Sequence, residues 1–222
     1  MPAIPDAHGV PYLDVVTLCW LAYKDRETNM SRCGSWRSVT GNVWRVMEEY
    51  ERGPFHAIKA QGLGKTILAF SGTDELLDWA DNLSQGVTGL SYQYLYAFKL
   101  AGSVGCEMVA GHSLGGGLAS SVAIHRGIKC ATVNPAPLFI RGLPNPVSQA
   151  VGVINAVQML RRSNLVINYV VPGEALDILD IAALGMSRVG KIINVPSTGG
   201  WNPIARHLLD SLVDFSPPTR IK

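Results

Sequence analysis

The 222-residue chain lacks the sequence features of disulfide-rich, metal-binding and nucleic-acid-binding proteins. Its four cysteines show neither CxxC nor Cys/His spacing, which argues against a disulfide scaffold and a metal site. No basic run is longer than Arg161-Arg162 and the net charge is only +2, so there is no electrostatic case for binding nucleic acid. We therefore expect a protein that needs no metal or cofactor and does not bind nucleic acid.

Long apolar runs are missing as well. The stretch at residues 15–23 is too short to span a bilayer, is interrupted by Thr17 and has no basic leader before it. We predict no transmembrane segment, and either a cytoplasmic location or export by a route without a cleaved signal peptide. With 47% hydrophobic and 16% charged residues and no repeats, residues 1–222 are predicted to form one domain with a buried core.

The order of the periodic and apolar segments predicts an α/β fold. Residues 13–24 and 43–51 are predicted helices, and residues 55–60 and 65–70 are two strands joined by a turn, which is an antiparallel hairpin. Helices and strands then alternate, which favours a mostly parallel sheet with flanking helices. The later predicted strands are residues 107–110, 129–133, 165–171 and 191–195, the later predicted helices are residues 92–100, 114–126 and 204–213, and the proline-rich segment 135–146 is a predicted loop.

The most informative motif is a serine between two glycines, Gly111-His112-Ser113-Leu114-Gly115, where a predicted strand meets a predicted helix. A strand that passes into a helix at one residue forces strained backbone angles on that residue, and leaves no room for side chains two positions before and after it. The turn exposes the Ser113 hydroxyl at a helix N-terminus, where partial positive charge favours an oxyanion. The motif predicts a nucleophile elbow, and with it a serine hydrolase of the α/β-hydrolase fold.

A serine nucleophile needs a base, which is usually a histidine held by a carboxylate. In this architecture the chain order is serine, acid, histidine, and His207 is the only histidine well downstream of Ser113. His125 lies on the helix that begins at the nucleophile, and His112 is interpreted as only the variable residue of the elbow. His207 is therefore the predicted catalytic base.

The acid is expected on the turn after the predicted strand at residues 165–171. Glu174 is the first carboxylate beyond Pro172-Gly173, and Asp177 follows three residues later. In a helix these two carboxylates would share a face. Position favours Glu174, while spacing leaves Asp177 open as the alternative acid.

The oxyanion hole requires two backbone donors. One is the amide of the residue after the nucleophile, Leu114, and the other comes from a loop that follows an earlier strand. The turn Ser71-Gly72-Thr73-Asp74 ends the predicted strand at residues 65–70, so Thr73 is the predicted second donor.

Four segments resemble the fungal-type (class 3) lipases and their bacterial lipase and phospholipase relatives. They are FSGT at residues 70–73, DWADN at 78–82, GHSLGG at 111–116 and VNPAP at 133–137, within a resemblance over residues 12–215. It implies the α/β-hydrolase fold, Thr73 and Leu114 as oxyanion donors, an acid near Glu174, and a histidine near the C-terminus such as His207. Two positions depart from the pattern: Ser71 stands where many members have arginine, and the acid of the family is more often aspartate.

Together these features predict a carboxylic ester hydrolase that cleaves an acyl lipid or phospholipid through an acyl-enzyme. Seven apolar residues within 75–95 form either a lid with a transient membrane-contact surface or ordinary core: Leu76, Leu77, Trp79, Leu83, Val87, Leu90 and Tyr92. Some bacterial relatives resemble phospholipase toxins delivered without a signal peptide, so an antibacterial effector is one form of this hypothesis. The alternatives are a hydrolase of small esters or thioesters and a catalytically silent binding module, and no oligomeric state is indicated.

Overall fold

The computed structural model describes residues 3–24, 30–72, 87–141, 153–178 and 186–221. Within these ranges, helices α1 to α6 are Tyr12–Leu21, Val87–Ser103, Leu114–Arg126, Ala156–Arg162, Ala175–Ile178 and Pro203–His207. Strands β1 to β12 are Gly34–Arg37, Val43–Arg52, Phe55–Gly62, Lys65–Phe70, Met108–His112, Lys129–Val133, Leu138–Arg141, Val153–Asn155, Val166–Val170, Met186–Ser187, Lys191–Asn194 and Thr219–Ile221.

Nine strands form the central sheet, in the order β11-β9-β6-β5-β4-β3-β2-β1-β12. The five strands from β11 to β4 are mutually parallel, and the remaining pairings, including the hairpin of β3 and β4, are antiparallel. This confirms the predicted mostly parallel sheet with an antiparallel hairpin. Ligand sites in such sheets lie beyond the carboxyl ends of the parallel strands, and β5 ends there at His112.

The prediction of a helix at residues 43–51 is wrong, because this segment is strand β2. Trp44 and Val46 are buried while Val43, Arg45 and Met47 are exposed, which is the two-residue period of a strand. β2 pairs with β1 on one side and β3 on the other. These long-range pairings decide between helix and strand in a segment whose local propensities permit both.

Two later segments also differ from prediction. The helix expected at residues 204–213 ends at His207, and Leu208 is extended before a 3₁₀ turn at Leu209–Ser211. The His207 carbonyl, which has no partner within the helix, is instead bonded by side chains from elsewhere. The predicted loop at residues 135–146 contains β7, which pairs with β8 and β10 in a small second sheet.

Both faces of the central sheet are covered. Met108 and Ala110 face α1 in one apolar cluster, while Val109 faces α2 and α3 in the other. Residues that alternate along a strand point to opposite faces, so each face of β5 packs against its own helices. The core thereby fixes the strand ends that carry the candidate site. Of the helices in the described ranges, none has the length and apolar character needed to cross a membrane.

Candidate active site

Ser113 lies at the sharp turn between β5 and α3. Its φ of 56° and ψ of −127° are strained angles for a residue with a side chain. A Cβ on Gly111 would overlap the backbone of Gly115, and a Cβ on Gly115 would overlap the carbonyl oxygen of Phe70. Only glycine fits at these two positions, as the elbow motif predicts, and the Ser113 side chain makes no capping hydrogen bond to α3.

Leu114 is the first residue of α3 and is buried, so its amide belongs to the N-terminal turn of a helix that begins at the serine. The other predicted oxyanion donor, Thr73, lies outside the described residues and stays a prediction. The last described residue before it is Gly72. A Cβ there would lie 2.6 Å from the Tyr23 hydroxyl and 2.9 Å from the Ser113 Cβ, so this loop passes directly beside the serine.

Glu174 and His207 meet in the protein interior. The Nδ1 of His207 lies 2.6 Å from the Oε2 of Glu174, and the same oxygen accepts a hydrogen bond from the Leu176 amide at 2.8 Å. A carboxylate only accepts, so Nδ1 carries the proton and Nε2 is left with its lone pair. This Nε2 is buried and has no hydrogen-bond partner in the described part of the chain. It is therefore not hydrogen-bonded to the Ser113 hydroxyl.

The alternative acid, Asp177, lies elsewhere. It is exposed, accepts a hydrogen bond from the Gly173 amide at 2.9 Å and pairs with the Nη1 of Arg188 at 2.9 Å. The Nη2 of Arg188 pairs with the Oε1 of Glu174, and its Nε donates to the Pro135 carbonyl at 3.1 Å. Of the two carboxylates, the structure brings only Glu174 to His207.

Sequence reasoning missed Arg188, because the sequence does not show how deeply Glu174 is buried. A carboxylate buried as fully as Glu174 requires a cation or several donors. Arg188 is the first basic residue after Glu174 in the chain, and its side chain is almost completely buried against Glu174.

His112, the variable residue of the elbow, is buried and hydrogen-bonded to two segments distant in the chain. Its Nε2 donates to the His207 carbonyl at 2.8 Å, and its Nδ1 lies 2.7 Å from the Tyr23 hydroxyl. Burial, reinforced by the neighbouring His207, lowers the pKa of His112 to about 3. Asn134, which sequence reasoning also missed, donates to the same carbonyl at 3.0 Å.

The apolar residues predicted to form either a lid or core fall partly outside the described residues, which resume at Val87. Of the residues in that hypothesis, Tyr92 has a described side chain, and its ring stacks on that of Tyr96 with a centroid distance of 6.1 Å. The choice between lid and core stays a prediction.

Comparison with known proteins gives a family and a fold. The model of the family described as "Tle-like phospholipase domain" matches residues 40–205. An extracellular phospholipase A1 from Serratia liquefaciens is 39% identical over 75 residues, which are 32% of this chain and 24% of that protein, so the alignment spans about a quarter of that relative. A fungal lipase crystal structure superposes with a TM-score of 0.53 and 14% identity, covering 90% of this chain and 82% of the lipase.

The family model covers most of the chain, including the elbow and Glu174. The structural neighbour shows the fold alone, which is that of a lipase. Together with the sheet, the structural match confirms the predicted α/β-hydrolase fold. The family match agrees with the predicted class of enzyme, a carboxylic ester hydrolase. The chain belongs to the Tle-like phospholipase domain family.

Proposed function

We propose that this domain is a serine hydrolase that cleaves acyl esters of phospholipids, with Ser113 as nucleophile, His207 as base and Glu174 as acid. One observation carries the proposal. The buried His207 is held by Glu174 through a 2.6 Å hydrogen bond, and its other ring nitrogen has no partner. An oriented imidazole with a free lone pair, whose ring centroid lies 4.8 Å from that of His112, the residue before the elbow serine, suits general-base activation of that serine.

The proposed reaction has two half-reactions. His207 Nε2 takes the Ser113 proton as Oγ bonds to the acyl carbonyl carbon, and the resulting imidazolium then protonates the departing alcohol oxygen as the ester bond breaks. Water next loses a proton to His207 and attacks the acyl-enzyme, and the imidazolium returns the proton to Ser113 as the fatty acid leaves. Glu174 stabilises the imidazolium in both halves. The Leu114 amide and the predicted donor Thr73 stabilise the oxyanion.

The choice of a lipid substrate is supported by the family and by exposed apolar side chains near His207. Trp201 is 96% exposed and Leu208 is 50% exposed, and both flank α6, which ends at His207. Tryptophan is favoured at the boundary between water and lipid because its ring is apolar with one polar edge. We include in the proposal that these side chains make transient contact with a lipid surface.

The direct test compares fatty-acid release from phosphatidylcholine vesicles and hydrolysis of a short-chain nitrophenyl ester by the native protein and Ser113→Ala. Ser121→Ala on the same helix is the matched control. We expect native and control proteins to hydrolyse the vesicles and Ser113→Ala to lose this activity. Hydrolysis of the soluble ester alone would indicate a small-ester or thioester hydrolase. No hydrolysis of either substrate, with no labelling of Ser113 by a fluorophosphonate, would indicate a binding module.

We extend the proposal to a role as an antibacterial phospholipase effector, supported by the family match to a Tle-like phospholipase domain. Such an effector acts on the membrane of another bacterial cell. Expression in a bacterial host with and without an added periplasmic targeting signal tests this role. We expect the native protein to stop growth only when the targeting signal brings it to the membrane from the periplasm. With Ser113→Ala we expect growth to continue in both cases. Equal toxicity of both proteins would refute the role.

A further inference from the structure

The main-chain carbonyl of His207 is held by two side chains from the strands beside the nucleophile. The Nε2 of His112 lies 2.8 Å from this oxygen and the Nδ2 of Asn134 lies 3.0 Å from it. His112 immediately precedes Ser113, and Asn134 immediately follows β6. The Ser113 amide itself donates to the Val133 carbonyl at 3.2 Å. The backbone of the base is thus fastened to the strands that hold the nucleophile.

The hydrogen bonds of His112 define its tautomer. A carbonyl oxygen only accepts, so Nε2 carries the proton and Nδ1 accepts the hydrogen bond from Tyr23 at 2.7 Å. Tyr23 comes shortly after α1 and its hydroxyl lies beside Gly72. The low pKa of His112 keeps its ring neutral at ordinary pH, so both bonds persist.

We propose that His112 is a positioning residue: through its Nε2 it fixes the backbone of His207, so that the imidazole of His207 is held at a set distance from Ser113. This inference rests on the proposed function. His112 transfers no proton and touches no reacting atom. Tyr23 acts one step further away, because its hydroxyl orients the ring of His112.

A short helix makes such a support necessary. α6 has only five residues, so its own hydrogen bonds hold the end at His207 weakly. A shift of 1 Å in a reacting group can lower a rate by about 100-fold. Because His112 and Ser113 are adjacent in the chain, a hydrogen bond from one of them to His207 sets nucleophile and base relative to each other.

Two matched variants test the inference. In His112→Gln the side-chain amide reaches the former place of Nε2 and can still donate to His207, whereas the shorter side chain of His112→Asn reaches only the place of Nδ1. We expect Asn to lower kcat on the soluble ester by on the order of tenfold to a hundredfold at unchanged KM. His112→Gln should keep most of the native kcat. The rate at which a fluorophosphonate labels Ser113 should likewise be lowest in His112→Asn and near the native rate in His112→Gln. Tyr23→Phe removes one hydroxyl, and should give a smaller loss of the same kind.

Proton NMR supplies a readout that does not need turnover. The proton in the short Nδ1–Glu174 hydrogen bond is expected far downfield, and should broaden or shift in His112→Asn but not in His112→Gln. This result in a protein without esterase activity would support the positioning of His207 and refute the proposed function instead. Equal kcat, labelling and NMR signal in the Gln, Asn and native proteins would overturn the inference. So would a loss of kcat that follows only the unfolded fraction measured by circular dichroism.

Discussion

Glu174 and Asp177 share the guanidinium of Arg188, but only Glu174 reaches the ring of His207. Glu174 directs its Oε2 to His207 and its Oε1 to Arg188. Asp177 is exposed and bonds Arg188 and the Gly173 amide. Two carboxylates three residues apart therefore have different contacts, because one holds the ring of His207 and the other helps to hold the arginine.

The first prediction separates these two carboxylates. Glu174→Gln should lower kcat by about 10⁴-fold, because an amide neither fixes the tautomer of His207 nor stabilises the imidazolium. Asp177→Asn should change kcat by no more than about fivefold, since the Asp177 carboxylate is solvated and does not touch His207, so that its loss costs at most about 1 kcal/mol. Steady-state hydrolysis of the short-chain ester measures both effects. The reverse order of losses would assign the acid to Asp177.

The second prediction concerns Arg188. Arg188→Leu leaves the fully buried Glu174 without its cation, and should lower the free energy of unfolding by about 3 kcal/mol or more. Arg188→Lys should recover little of this lost stability, because one ammonium group cannot replace a guanidinium that contacts two carboxylates and the Pro135 carbonyl. Urea denaturation measures the effect, with the exposed Arg161→Leu as control. An unchanged midpoint in Arg188→Leu would contradict this account.

The third prediction concerns the elbow. Gly115→Ala places a methyl group on the Phe70 carbonyl oxygen, which is backbone and cannot move aside as a side chain can. We expect a loss of stability of about 3 kcal/mol or more together with loss of activity. Ser121→Ala, also on α3, should unfold at nearly the native temperature. Thermal melting followed by circular dichroism distinguishes the two, and a Gly115→Ala protein as stable as the control would show that the turn can relax.

The fourth prediction concerns the lipid surface. Trp201→Ala should weaken binding to vesicles and slow their hydrolysis, while hydrolysis of the soluble ester stays at the native rate. Leu160 on α4 is 77% exposed and is the matched control, so Leu160→Ala should change neither activity. Vesicle co-sedimentation measures binding directly. Equal effects of the two substitutions would show that vesicle binding depends on exposed apolar area in general and not on the position of Trp201 beside His207.

The fifth prediction is a pH dependence of stability that comes from His112. Its pKa is about 3 in the folded protein and about 6.5 in the unfolded chain. Between these values the unfolded state binds the extra proton, so the free energy of unfolding decreases as the pH falls from about 6.5 towards 3. His112→Gln lacks this titration. The stability advantage of the native protein over the variant, measured by urea denaturation, should shrink from pH 7 to pH 4; a constant difference would contradict the low pKa.

Much of the fold could be predicted because its signals are local. The helix Leu114–Arg126 and the strand Lys129–Val133 have the predicted bounds, since periodicity and the glycine after the helix define them along the chain. Strand β2 could not be recognised in this way. Its neighbours in the sheet, and not its own propensities, determine its conformation.

The candidate site could also be predicted only where its signals are local. The sequence by itself determined the elbow, because the overlap that excludes a side chain at Gly111 lies within five residues, even though the Phe70 carbonyl adds a distant restriction at Gly115. Chain order singled out His207. Only the tertiary structure decided which carboxylate meets His207, because Arg188 and the Leu176 amide fix the direction of Glu174. It also gave His112 its contacts with Tyr23 and the His207 carbonyl. The hydrogen bonds of His112 and of His207 join residues far apart in the chain, and no local pattern encodes a direction in space.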